Sequence, residues 1–197
     1  MAITNGYATL AQVKSALRIT DAIDDQIIEL AIEAASRQID SHTERVFYST
    51  AATRYYAPRD WQICETDDII SITTLKTSSN VDGVYDTTWA TTEYQLEPLN
   101  GITGGIVTPY TQIRAIDDLT FPTNYGEATV QIVGTFGFSA VPVEVKQACV
   151  LLSSRIFKRN DSPLGVAGFG DLGAIMVRSV DPDIAAMLAA WKKIRFA

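Results

Sequence analysis

Few residues in this chain have the type and spacing that chemistry needs. Asp67 and Asp68 are adjacent carboxylates, and two carboxylates do acid–base work when a pocket drives their pKa values apart. Here they directly precede a strand-like run, so a solvated acidic turn is the simpler expectation. His42 is the single histidine. No Ser or Cys in a recognisable nucleophile motif accompanies it, although triad partners need not be neighbours in sequence. A partly exposed histidine at a helix end is expected. Gly165, Gly168, Gly170 and Gly173, with Phe169 among them, suggest a phosphate cradle. A P-loop, however, ends in Gly-Lys-Ser/Thr between strand and helix. Here Asp171-Leu172 follow the glycines with no lysine, and the expected order is helix before and strand after, so an exposed, mobile loop is expected instead. Cys64 and Cys149 are far apart and read as reduced thiols. With no Cys-x-x-Cys or His-x-x-x-His spacing, no metal site is expected. The chain is therefore read as a protein with no catalytic residue, no cofactor and no metal, and not as an enzyme.

Two further groups could bind rather than react. Tyr55, Tyr56, Trp61, Trp89, Tyr94 and Tyr110 fall in strand-like territory and could stack bases. Few basic residues lie between them, so core and cross-strand packing is the expected role. The C-terminal Trp191, Lys192, Lys193, Arg195 and Phe196 form a basic, aromatic ending in an acidic chain. They fit either a well-terminated helix or an anchor for a partner, because Trp and Arg are frequent interface hot spots.

These residues need elements to hold them. Thr9-Leu-Ala-Gln12 has the form of a capping box, followed by Leu10, Val13 and Leu17 at helical spacing. Asp21 is expected to cap a longer helix, with Ile28, Ile32, Ala35 and Ile39 in one stripe and Ile27, Ala31 and Ala34 widening it. So wide an apolar face implies more than one neighbour. From about residue 46 to 141 the composition turns to Thr, Tyr, Val and Ile between Gly, Asn, Asp and Pro. Strands are expected near 53–56, 69–77, 88–89, 94–96 and 111–116, with the clearest alternation over Glu127–Phe138. A turn is expected at Asn80–Gly83. Pro142 opens a helix with Val145, Ala148, Cys149, Leu152 and Ile156 on one face. After the glycine loop come a brief strand at 174–178 and a last helix from Asp181-Pro182, with Ile184, Met187, Leu188, Trp191 and Ile194 as its apolar face. The expected class is α+β: a helical bundle from residues 1–47 and 140–197, with residues 48–139 inserted as a small antiparallel β sandwich or barrel.

Composition narrows the role. The chain has 197 residues, 47% of them hydrophobic, enough for a real core. A formal net charge of −7 makes it a poor general binder of phosphate backbones, though it suits a surface that DNA slides past. No run approaches the ~20 apolar residues of a membrane helix, and the start is not a signal peptide.

The pattern Tyr7-Ala-Thr-Leu-Ala-Gln-Val-Lys, Leu17, Asp24-Asp-Gln-Ile-Ile, Ile32-Glu-Ala-Ala-Ser, Ile39-Asp and Arg45-Val-Phe47 resembles the start of the head–tail connector proteins of tailed bacteriophages. These are also known as adaptor, head-completion or DNA-packaging proteins. The stretch from Pro142 to Gly170 and the ending from Val180 resemble the long form of that family. The resemblance implies a structural virion protein. Subunits would form a ring, usually of twelve, beneath the portal, join head to tail and continue the DNA channel. The partners implied are further copies of itself, the portal, the next neck or tail protein, and DNA passing without sequence-specific contact; no membrane is involved. The place implied is the virion neck, with the host cytoplasm during assembly. On this chain Trp191, Lys192, Lys193, Arg195 and Phe196 would dock on the portal. The loop Gly165, Gly168, Phe169, Gly170 and Gly173 would order against a neighbouring subunit. Deletion of Asp181–Ala197 is expected to leave a folded chain that no longer docks. The competing expectations are a neck or tail-terminator protein, and a small hydrolase based on His42.

Overall fold

A computed structural model describes residues 3–80, 83–123, 126–160 and 182–193. The chain divides into two compact units, residues 1–45 with 141–197, and residues 46–140. Among the described residues, four helices and an antiparallel sheet make the class α+β, as expected.

The first unit begins with α1, Leu10–Leu17. Its capping box is formed as the sequence implies: Gln12 N–H donates to Thr9 Oγ1, and Thr9 N–H donates to the Gln12 side chain at 2.9 Å. Arg18 ends the helix in the left-handed conformation at φ 59°. The next helix, α2, runs Asp25–Thr43. Asp21 does not cap it. Its carboxylate accepts from Ile23 N–H at 3.0 Å in a local turn, a competing use that Asp side chains favour. Asp24 stands at the cap position without a side-chain hydrogen bond.

Ile28, Ala31, Ile32, Ala35 and Ile39 are the buried apolar residues of α2. Pro142 precedes α3, Val143–Lys158, which buries Val145, Ala148 and Cys149. The last helix, α4, is Pro182–Ala189 and buries Ile184 and Leu188. α2 packs on α1, α3 and α4, and α3 packs on α1 and α4, so helices from both ends of the chain share one core. The buried hydroxyls in it are satisfied. Ser36 Oγ–H donates to the Ile32 carbonyl at 2.7 Å while accepting from Tyr7 N–H at 3.0 Å. Ser153 Oγ–H donates to the Cys149 carbonyl at 2.6 Å.

The second unit contains β1 (Thr50–Tyr56), β2 (Ile63–Thr77), β3 (Thr87–Trp89), β4 (Tyr94–Glu97), β5 (Ile102–Thr103), β6 (Ile106–Val107), β7 (Tyr110–Ala115) and β8 (Val130–Phe136). The main sheet is antiparallel in the order β1-β8-β2-β7-β4, with β3 also on β2. That path does not return on itself, so no closed barrel forms among the described residues. β8 alternates as its sequence does: Val130, Ile132, Gly134 and Phe136 are buried and the residues between them are not.

β2 is the spine. Ile63–Ile69 pairs with β7, Ile69–Thr77 pairs with β8, and Leu75–Thr77 also pairs with β3. Register shifts at Glu65–Ile69, Ile69–Ser71 and Ile72–Thr74 bend it so that one strand serves all three. Gly134 lets β8 approach that bend, since a Cβ there would overlap the Ser71 carbonyl oxygen. Cys64, Ile69, Leu75, Trp89, Ile113, Phe121, Ile132 and Phe136 fill the core. Trp89 stacks on Phe121 at 4.7 Å, and its indole N–H donates to Thr77 Oγ1 at 3.1 Å.

Two local readings are corrected here. Asp67 and Asp68 lie inside β2 and not in a turn before it. β5 and β6 form a two-stranded ribbon of their own, absent from the expected strands. Its turn is Gly104-Gly105, both at positive φ, a glycine pair that could have announced it. Residues 81 and 82 of the turn expected at 80–83, and the whole strand expected at 174–178, lie outside the described residues.

Candidate assembly surface

Among the described residues, each one with catalytic potential has its own local setting within its unit. His42 is exposed on the last turn of α2. Asp67 accepts from Arg54 Nη1 at 2.7 Å and from the Tyr56 hydroxyl at 3.2 Å. The Arg54 guanidinium lies 4.3 Å over the Phe136 ring. Burial, and then the Asp67 charge, hold the Tyr56 phenol well above its ordinary range. Asp68 is buried, and its carbonyl accepts from Gly137 N–H at 2.8 Å. These contacts tie β1, β2 and the end of β8 together, which is structural work for the acidic pair. Burial, with Glu65 adding to it, pushes the Cys64 thiol up to about 12, and burial raises Cys149 too. Neither is poised as a nucleophile. Among the described residues no group of three or more His, Cys, Asp and Glu could hold a metal ion. No helix among them is long and apolar enough to cross a membrane.

The aromatics divide. Trp89 and Tyr94 are core residues, as expected. Tyr55 and Trp61 are exposed, and Tyr55 packs against Tyr85 at 5.3 Å.

The C-terminal candidates also divide. Trp191 is only 2% exposed and belongs to the helical core, so its indole is not presented to a partner in this conformation. Lys192 is exposed and Lys193 half-buried, and Lys193 N–H donates to the Thr43 carbonyl at 2.8 Å. Arg195 and Phe196 lie outside the described residues, as do Gly165, Gly168, Phe169, Gly170 and Gly173. Ile184, Leu188 and Trp191 are buried in the helical unit, so removal of Asp181–Ala197 is expected to cost fold stability as well as docking.

What the helical unit does present is apolar surface. Ile23 is 85% exposed, Leu30 54% and Ile27 42%, with Ala34 exposed in line with them. Ile23 stands in the turn before α2, and within the helix Ile27, Leu30 and Ala34 recur at helical spacing and form one stripe. Ile27 and Ala34 widen the apolar face of α2 in sequence, and both are exposed among the described residues. On α3, Val143 is 74% exposed and Leu151 41%. Separate from these, the β5–β6 ribbon exposes the opposed pair Ile102 and Val107.

Residues 7–80 match the family model described as "Phage gp6-like head-tail connector protein". That segment carries α1, α2, β1 and β2. Residues 7–80 are similar to a head–tail connector segment. The connector pattern is thus the one whose residues from Tyr7 to Phe47 resemble that family, and the family matched is structural rather than enzymatic. Three solved structures share the fold along the chain's whole length. One is described as the neck of an empty gene transfer agent particle computed with C6 symmetry. It has 18% identity and a TM-score of 0.61, covering 100% of this chain and 95% of that one. The second is the neck of the native particle computed with C12 symmetry, at 19% identity and TM-score 0.58, covering 100% and 94%. The third is the virion of the native particle, at 20% identity and TM-score 0.58, covering 100% and 95%. No match was found among curated proteins.

Proposed function

We propose that this chain is a structural protein of a tailed-phage neck. Copies of it close a ring beneath the portal, join head to tail and continue the channel through which DNA passes. The observation that carries this reading is the connector match over residues 7–80. It is supported by a fold shared end to end with chains described as particle necks computed with C6 and with C12 symmetry. The helical unit, built from both ends of the chain, is the ring-forming part, residues 48–139 are a β insertion, and the ring presents a surface for the next neck or tail protein. Twelve copies form the ring in the virion, after assembly in the host cytoplasm.

Docking on the portal falls to Lys192, Lys193 and the residues after them, Arg195 and Phe196, with Trp191 holding that ending to the helical core. The loop Gly165, Gly168, Phe169, Gly170 and Gly173 orders against the neighbouring subunit. The excess of acidic residues keeps the channel from gripping its cargo, because like charges repel the phosphates.

The test is a mass measurement in solution, with the chain alone and mixed with the portal encoded beside it. A ring, or stoichiometric recruitment onto portal rings, is the expected result. A chain that stays monomeric, ignores portal and binds tail tube instead would replace the connector reading by a tail-terminator one.

A further inference from the structure

We propose that neighbouring copies of this chain meet through α2 and α3. The outer stripe of one copy's α2, Ile27, Leu30 and Ala34, with Ile23 in the turn before it, seats on the outer face of the next copy's α3, around Val143, Gln147 and Leu151. The inference rests on the ring reading above and assigns its subunit contact.

The geometry starts within one subunit, where α2 and α3 pack on each other through their buried faces. Successive residues of a helix are turned by about 100°. On α2 that sets the exposed stripe roughly opposite the buried Ile28, Ile32, Ala35 and Ile39. On α3 it sets Val143, Gln147 and Leu151 away from the buried Val145, Ala148 and Cys149. The two apolar stripes therefore look outward from opposite flanks of one helix pair. Two different patches on opposite flanks are what a head-to-tail contact needs, and such contacts close into rings when the rotation permits. An isologous dimer would instead need one self-complementary patch.

Extent and charge fit the same pairing. At a 1.5 Å rise, the α2 stripe from Ile27 to Ala34 runs about 10 Å and Val143 to Leu151 about 12 Å. The α2 stripe starts beside the exposed Asp21 and the half-buried Asp24. The α3 face ends at Lys158 and Arg159, both exposed. An antiparallel seat puts those acids opposite those bases. A parallel seat would put them beside Glu144, in the first turn of α3. The antiparallel seat also brings position 27 near position 151.

The experiment uses the full-length chain assembled into rings, alone or on portal. Ile27→Cys and Leu151→Cys chains are made separately, then mixed and mildly oxidised. A disulfide-linked pair is expected in the mixture and not from either variant alone. Each single variant carries the buried Cys64 and Cys149 and so controls for them. Leu30→Glu is expected to reduce the assembled fraction at least tenfold with an unchanged thermal midpoint of the monomer. Lys158→Glu should weaken assembly and Asp21→Lys should partly restore it. If wild type forms rings, Leu30→Glu forms them equally well and no mixed disulfide appears, the α2–α3 assignment is wrong while the ring stands. If Leu30→Glu lowers the thermal midpoint of the monomer instead, the chain itself covers the stripe, which also overturns the assignment. If wild type forms no ring even on portal, the ring reading fails first.

Discussion

Lys193 N–H donates to the carbonyl oxygen of Thr43 at 2.8 Å, tying the stretch after α4 to the last residue of α2. With Ile184, Leu188 and Trp191 buried behind it, the described stretch from Pro182 through Trp191 is part of the helical core. Trp191→Ala should cost about 3–5 kcal/mol, the usual loss when a buried aromatic is emptied. Urea unfolding checks this, and a loss under about 1 kcal/mol would mean the indole is not packed as described. A chain ending at Lys193 should unfold like wild type and bind portal more weakly, which separates docking from folding.

Gly137 sits at φ 98°, and a Cβ there would overlap the Tyr48 carbonyl oxygen. Gly137→Ala should therefore destabilise by about 1–3 kcal/mol or more, from left-handed strain and overpacking together. Gly105 has φ 77° with open space around it. Gly105→Ala carries only the conformational cost, about 1–2 kcal/mol. Denaturant midpoints of the two variants should fall in that order.

Both thiols are buried, and burial raises both above the ordinary thiol range. The folded chain should react with a thiol-specific chromogenic reagent far more slowly than the denatured chain, which should titrate two groups. Rapid reaction of either cysteine in the native state would contradict its placement.

Two carboxylates set opposite acid responses. Hydrogen bonding to Arg114 holds Glu97 below its ordinary value of 4.5. The unfolded chain then binds the proton more readily, so this stabilisation is present above that value and is lost as pH falls through the folded one. Asp40 is raised above 3.8 by burial, against the opposing effects of its hydrogen bond from the Tyr7 hydroxyl and of Arg37. For it the folded chain binds the proton more readily, so stability falls as pH rises from 3.8 through the raised value. Unfolding free energies between about pH 3 and pH 6 should thus lose an upward slope in Glu97→Gln and a downward slope in Asp40→Asn. Unchanged slopes in both would remove this account.

Much of the fold was legible where one residue pattern has one physical outcome. The capping box at Thr9, the proline before α3 and the alternation of β8 all appear where side-chain periodicity and cap chemistry put them. Asp21 misled because an Asp before a helix has two uses, and the local turn to Ile23 won over the cap. Asp67-Asp68 misled because acidic residues are depleted in strands. Here a bulged strand tolerates them, with Arg54 and Tyr56 supplying partners that lie remote in sequence. The assembly surface was half visible. The breadth of the α2 stripe implied extra neighbours, but only the packed helices reveal that Ile27 and Ala34 are the part left over. Trp191 was legible from its own segment as part of an apolar face, but the choice between a buried residue and a presented anchor depends on surface from elsewhere in the chain.

The helical unit is assembled from the two flanks of a segment some 95 residues long, which has a consequence for synthesis. During translation α1 and α2 emerge first, with Ile28, Ile32, Ala35 and Ile39 uncovered, because their cover on α3 has not been made. The β strands can pair before α3 leaves the ribosome, whereas the helical core must wait for closure of that long loop. Chain entropy makes such closure slow rather than thermodynamically prohibitive. A nascent chain stalled before residue 143 would expose an apolar helix face, and that interval is where chaperone dependence and aggregation during expression should concentrate.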